Sequence, residues 1–265
     1  EFDDKFLHVD PIGTWVVAEI RPELRLWLDL GDSDVSRQCL MGAYEAIDTT
    51  FMESFLRPGM AFVDIGANIG WYSVLAAKIV GPAGVVYSFE PRPDTCSYLR
   101  RSISENKFAQ VHIRQMALAD KPGTLPVATY ISAQSPGGTW LLTSEALQTA
   151  FQAGFQRFDV EVARLDDLPI ERCDLLKIDI EGAEYLALQG ARQTLARFKP
   201  IIISEINPVA LPSVSEISVA DYLRFIGDLG YEAYQITAAG PGERLGEAFA
   251  TNPHVCNILL QPAAA

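Results

Sequence analysis

The stretch from Ala61 to Trp71, Ala61-Phe62-Val63-Asp64-Ile65-Gly66-Ala67-Asn68-Ile69-Gly70-Trp71, constrains the fold more than any other part of the chain. Met60 to Ile65 reads as a buried strand that carries one acid, Asp64, towards its carboxyl end. Glycines then turn the chain into an apolar helical pattern from Ile69 to Val80. Glycine permits such a sharp turn and leaves room for a ligand where a Cβ would stand. The helix that follows presents unpaired N–H groups above the strand end. A second strand, Val85 to Glu90, also ends in an acid, twenty residues past Gly70. An acid at that spacing suits hydrogen bonding to the ribose hydroxyls of an adenosine ligand.

The same alternation continues along the chain. Pro93 to Asn106 reads as a helix, Gln110 to Met116 as a strand, and Asp174 to Ile180 as a buried strand before a helix from about Ala183 to Phe198. Pro200 to Ile206 is a third acid-ended strand, and a helix from Val219 to Leu229 precedes strands at Tyr231–Thr237 and Val255–Gln261. Strands alternating with helices predict an α/β, doubly wound, Rossmann-like and mostly parallel sheet, with its ligand crevice at the carboxyl ends of the strands. Residues 1–50 read as an N-terminal cap segment and 51–265 as the main domain, with an insertion at about 121–157. That insertion holds an expected strand (Thr124 to Tyr130), a Ser135-Pro136-Gly137-Gly138 turn and a weak helix near Ser144 to Ala153. A lid over the crevice and a surface embellishment are both open readings of it. A reversed last strand would bring the Gly240–Pro253 loop to the ligand side and His254 to the crevice rim.

The glycine spacing selects among adenosine ligands. The dinucleotide fingerprint G-x-G-x-x-G would need glycine at Asn68 and Trp71. The chain has D-x-G-x-x-x-G instead. Asp64 lies where a pyrophosphate would sit, and a carboxylate there repels phosphate but favours a cation. The amino group and sulfonium of S-adenosyl-L-methionine (SAM) are such cations. A tight turn that binds nothing is the plainer reading, but two acid-ended strands at this spacing are hard to explain by folding alone.

Composition narrows the partners. A net charge of -13 leaves no general basic face for nucleic acid. No apolar run is long enough to cross a membrane. Cys39, Cys96, Cys173 and Cys256 are scattered without a C-x-x-C pair, which predicts free thiols and a cytoplasmic location. With only His8, His112 and His254, a histidine-rich metal site is excluded.

Taken in order, several motifs resemble the FkbM-type SAM-dependent methyltransferases within the class I methyltransferase fold. They are Gly42-Ala43-Tyr44-Glu45, VDIGANIGWYS from Val63, FEPRP from Phe89, Ala117-Leu118-Ala119-Asp120, Leu165-Asp166-Asp167-Leu168, LKIDIEGAE from Leu176 and IISEI from Ile202. The resemblance implies a seven-stranded sheet with a reversed last strand, and O-methylation of a hydroxyl on a sugar or natural-product small molecule. With the strand-end geometry, it assigns Asp64, Gly66, Asn68 and Gly70 to the methionine half of SAM and Glu90, followed by Pro91, to the ribose. Met116 and Ala117 border the adenine, and Glu45 closes the cofactor site.

Catalysis is expected of Asp179 and Glu181 in the Asp179–Glu184 turn, where the alternative is capping of the next helix. Gly182 is expected to allow a ligand close. Lys177 shares a strand face with Asp179 and needs a partner, with Glu205 expected. A structural ion pair is preferred there over a lysine of lowered pKa that assists deprotonation. Glu181 or His254 is the expected base. An alternative route places Mg²⁺ on Asp179 and Glu205, with metal-free chemistry preferred. Tyr130, Trp140, Phe151 and Phe155 are candidates for an acceptor wall, although packing is the expected use of most. An NAD-dependent sugar oxidoreductase and a non-catalytic SAM-binding domain of a larger biosynthetic assembly are the competing functions.

Overall fold

The computed structural model describes residues 6–9, 14–130, 138–144, 147 and 154–263. The chain opens with an antiparallel sheet of β1 (Phe6–Val9), β2 (Trp15–Arg21) and β3 (Leu24–Asp29). Helices α1 (Ser36–Met41) and α2 (Ala46–Phe55) follow. The division expected at residue 50 therefore falls inside α2, whose buried Phe51 and Met52 join the same core cluster as the β2 and β3 residues.

The main sheet starts with β4 (Ala61–Ile65), α3 (Trp71–Val80), β5 (Val85–Phe89), α4 (Pro93–Glu105) and β6 (Val111–Arg114). A second sheet then branches off from β7 (Ala117–Leu118), β8 (Gly123–Tyr130), β9 (Thr139–Leu141) and β10 (Phe155–Ala163), in the order β7-β10-β8-β9. The insertion is thus a sheet anchored on β7, and its last strand runs beyond the expected end at 157. Most of the helix expected near Ser144 to Ala153, Phe151 included, and the Ser135-Pro136-Gly137 turn lie outside the described residues.

The chain returns to the main sheet as β11 (Leu175–Ile178), α5 (Glu184–Gln189), α6 (Arg192–Phe198) and β12 (Ile201–Ile206). It ends with α7 (Ala210–Ser215), α8 (Val219–Asp228), β13 (Tyr231–Thr237), β14 (Gly240–Arg244), α9 (Glu247–Thr251) and β15 (Cys256–Pro262). The spatial order is β14-β13-β15-β12-β11-β4-β5-β6. From β12 to β6 the pairings are parallel, and β15 runs antiparallel to both β12 and β13. The α/β class and the reversed last strand are as expected. Among the described residues the main sheet has eight strands, because Gly240–Arg244, expected as loop, folds back on β13 as an edge hairpin.

The chain leaves β4 towards β5 and β6 and later returns to β11 on its other side. This reversal opens a crevice at the carboxyl ends of β4 and β11. Every residue of β4 and of β11 is buried, which is why both read as apolar runs broken only by Asp64 and Lys177. The helix expected from Ala183 to Phe198 is two helices. A Cβ on Gly190 would lie 2.1 Å from the Ala119 carbonyl oxygen, so the junction packs directly on the neighbouring backbone. The Asp166 carboxylate then accepts the N–H groups of Gln193 (3.0 Å) and Thr194 (2.8 Å), restarting the helix as a cap supplied from another segment.

Candidate active site

A cleft of about 310 Å³ lies at this reversal. Among the described residues, six acids (Asp34, Glu45, Glu90, Asp179, Glu181 and Glu205) and one lysine, Lys177, line it. Such a lining favours a cation over a phosphate-rich ligand. The loop after β4 builds one wall. Gly66 is in the left-handed region at φ 84°, and a Cβ there would lie 2.0 Å from the Asp179 carbonyl oxygen. Its bare backbone accommodates the Asp179 carbonyl at the β11 tip, while Gly66 itself lines the cleft as expected. Gly182 likewise meets Ala210, and Gly70 meets Leu99 at 2.5 Å while capping α3. Glu45, Asn68 and Glu181 also hold positive φ (40°, 49° and 54°), a conformation that non-glycine residues keep only where their surroundings dictate it.

Glu90 stands at the tip of β5, only 5% exposed. Its two oxygens accept the N–H groups of Asn68 and Arg92, each at 2.9 Å. Burial pushes its carboxyl up to about 7 against the pull of those N–H groups. Phe89, Pro91, Met116, Ala117 and Leu118 line the cleft beside it, joined by Val127, Thr139 and Leu141 of the inserted sheet. The insertion therefore forms part of the cleft wall. Trp140 and Phe155 pack edge to face on each other at 6.1 Å, the packing use expected of them.

At the other end, Lys177 is 3% exposed and donates to Asp179 Oδ2 at 2.9 Å, with Glu45 Oε2 at 3.5 Å. Its ammonium also lies 4.6 Å from the centre of the Tyr72 ring. Burial would lower the lysine pKa, but Asp179, Glu45 and Asp64 outweigh it and hold the group charged. The expected partner Glu205 is thus replaced by Asp179 and Glu45, because Glu45 is brought over the strand tips from the start of α2. Glu45 also accepts the Tyr72 hydroxyl at 2.6 Å and the Asn257 amide at 3.2 Å, tying the N-terminal segment to β15. Tyr72 and Asn257 were not legible as site residues. An amide within the apolar run Val255 to Leu260 was the one available signal.

Three expected residues lie away from the cleft lining. Asp64 is buried beneath the loop, accepts the Ser73 hydroxyl at 2.5 Å, and is pushed up to about 6 by burial. Ser73 Oγ and Ser88 Oγ are 2.7 Å apart, continuing that chain of polar groups beneath the floor. Gly70 serves the turn. His254 is exposed, and its ring packs against Phe249 at 5.5 Å rather than at the rim, because residues 247–251 form α9. Glu184, in the first turn of α5, accepts the N–H groups of Ile180 (2.9 Å) and Gly182 (3.3 Å), so it caps the turn. Among the described residues, no group of three or more His, Cys, Asp or Glu side chains is placed to hold a metal. Of the two residues expected to share a cation, Asp179 is already committed to the Lys177 ammonium.

The doubly wound sheet and acid-lined crevice define the Rossmann-like class I methyltransferase fold. The chain belongs to the methyltransferase FkbM domain family, whose model matches residues 64–233. It is 34% identical over 155 residues to a methyltransferase named sdnD from Sordaria araneosa, covering 48% of this chain and 59% of that protein. It is 32% identical over 161 residues to the 31-O-demethyl-FK506 methyltransferase FkbM of Streptomyces tacrolimicus, covering 51% of this chain and 60% of that one. The chain thus spans about three fifths of the length of these relatives. A crystal structure of methyltransferase FkbM from Methylobacillus flagellatus KT superposes with a TM-score of 0.47 at 17% identity, over 86% of this chain and 52% of that one.

Proposed function

We propose that the protein is a SAM-dependent O-methyltransferase that acts on a hydroxyl of a small molecule. The observation that carries this reading is the two-ended cleft. An apolar wall and the Glu90 carboxyl suit an adenosine at one end, and carboxylates around a single ammonium suit a cationic amino-acid tail at the other. Bound there, SAM supplies an electrophilic methyl group. Glu90 would take the ribose hydroxyls while Asn68 N–H keeps its carboxyl oriented. Met116 and Ala117 would border the adenine. Asp179 and Glu45, held by Lys177, would face the amino group and the sulfonium. A relative named for a demethylated oxygen position supports oxygen as the acceptor atom.

For the chain itself, catalysis is mainly positioning, which supplies up to about 7–11 kcal/mol in favourable intramolecular systems. The acceptor hydroxyl must also lose its proton to a carboxylate of the cleft as the new bond forms. Calorimetry of the purified protein tests the cofactor half. SAM should bind, and Glu90→Ala should weaken it by about 10–100-fold, the worth of hydrogen bonds to a charged group. Unchanged affinity in that variant removes Glu90 from the site, and absence of binding by the wild type removes the function.

A further inference from the structure

Among the described acids that line this cleft, Glu205 is the one with a carboxyl oxygen both sealed from solvent and unpartnered. Asp179 is bound to Lys177, Glu45 to Tyr72, Asn257 and Lys177, and Glu90 to two backbone N–H groups. Glu205 Oε2 is sealed from solvent and has no hydrogen-bond partner among the described residues. Buried polar atoms in folded proteins nearly always have a partner, so this orphan leaves the Glu205 carboxyl short of a stabilising contact while the residue itself lines the cleft. The strand register puts this carboxyl in the right place. Ile178 of β11 pairs with Ser204 of β12, so Glu205 is level with Asp179, one residue further towards the crevice.

We propose that Glu205, rather than Glu181 or His254, receives the proton of the acceptor hydroxyl, and that it is protonated or ionised according to the charge on the methyl donor. This rests on the methyltransferase reading above. Lys177 faces Glu205 from β11, Asp179 and Glu181 from the turn after it, Glu184 from the first turn of α5, Tyr44 from the N-terminal segment and Cys256 from β15. Among these groups Lys177 is the single cation. Burial and then the neighbouring acids push the Glu205 carboxyl up to about 10, so the cleft without ligand holds it neutral. Glu181 is pushed up only to about 7, by burial and then by Asp179, which makes it the weaker base of the two.

A sulfonium placed beside Asp179 adds a second positive charge and favours the ionised form of Glu205. Its proton then leaves for solvent, and the carboxylate can accept the hydroxyl proton. As transfer proceeds, the acceptor O–H bond breaks with its proton passing to Glu205, and the new O–CH₃ bond forms. The C–S bonding pair stays with sulfur. One positive and one negative charge vanish together, so the transfer adds no net charge to the low-dielectric cleft. S-adenosylhomocysteine lacks the sulfonium charge and leaves Glu205 protonated.

Titration calorimetry in two buffers of different ionisation enthalpy counts these protons, at about pH 8, between the values for Glu181 and Glu205. Wild type should release up to about one proton on binding SAM and much less on binding S-adenosylhomocysteine. Glu205→Gln should still bind S-adenosylhomocysteine, lose the difference in proton release, and turn over about 10²–10⁴-fold more slowly. Glu205→Asp, which keeps an acid, should restore the release, and Glu181→Gln should retain it. Equal release by wild type and Glu205→Gln, or release that disappears with Glu181→Gln, overturns the assignment while leaving the cofactor site intact. Wild type that binds neither compound sinks the underlying function instead.

Discussion

At the tip of β5, Glu90 has both carboxyl oxygens closed by backbone N–H groups from the loop after β4 and from its own turn. At the tip of β12, Glu205 is only partly buried, yet its Oε2 is sealed from solvent and has no hydrogen-bond partner among the described residues. Both acids end strands of the same sheet and both are pushed upward by burial. The first is satisfied locally, because a strand-to-helix turn always brings free N–H groups to the strand end. The second sits where β15 arrives antiparallel, with an Asn257 amide already given to Glu45. The contrast separates an acid satisfied by nearby backbone from one whose buried oxygen the described fold leaves unpaired.

Lys177 is the buried cation between Asp179 and Glu45, and its removal should have the largest effect. Lys177→Met leaves Asp179 and Glu45 without their buried cation, and losing one partner of a buried pair costs about 3–5 kcal/mol. Denaturant unfolding measures it. A loss below about 1 kcal/mol, the range of exposed pairs, would show the network to be dispensable to the fold.

The pH dependence of stability sharpens the Glu90 side. Its carboxyl is raised from 4.5 to about 7, so its contribution is fully present below its unfolded value and is lost as the pH rises through the folded one. Glu181 and Asp64 are raised in the same direction. Lys177, raised above its ordinary value, stays charged throughout this window and does not mask the slope. Unfolding free energy should therefore decline between about pH 4.5 and 7, and Glu90→Gln should flatten part of that decline. A rise over the same interval in the wild type would contradict the burial argument.

The smallest effect belongs to His254. With its ring on Phe249, outside the cleft lining, His254→Ala should change stability by about 0.5 kcal/mol or less and leave turnover nearly unaltered. A loss of turnover approaching that of Glu205→Gln would return the histidine to the reaction.

Local pattern was enough to place the strand tips. β4, β5, β11 and β12 could be read from apolar runs ending near acids, and the loop glycines marked the turn into α3. Where a neighbour decides the outcome, pattern was silent. The break between α5 and α6 depends on Asp166 reaching over from a separate segment. The glycines were visible, but the atoms filling their missing Cβ positions belong to Asp179, Leu99 and Ala210, none of them near in sequence. Lys177 plainly needed a carboxylate, yet only the path of the N-terminal segment made Glu45 one of its partners.

The order of residues by itself determined the α/β alternation and delivered acids to the strand ends, because burial and backbone hydrogen bonding set a period readable within a few residues. Which of those acids are matched, and which one lacks a partner, was decided by the assembled molecule. That outcome depends on distances between side chains from β15, α2 and the neighbouring strands, which the fold alone brings together. Desolvation and charge pairing act over those distances, not along the chain.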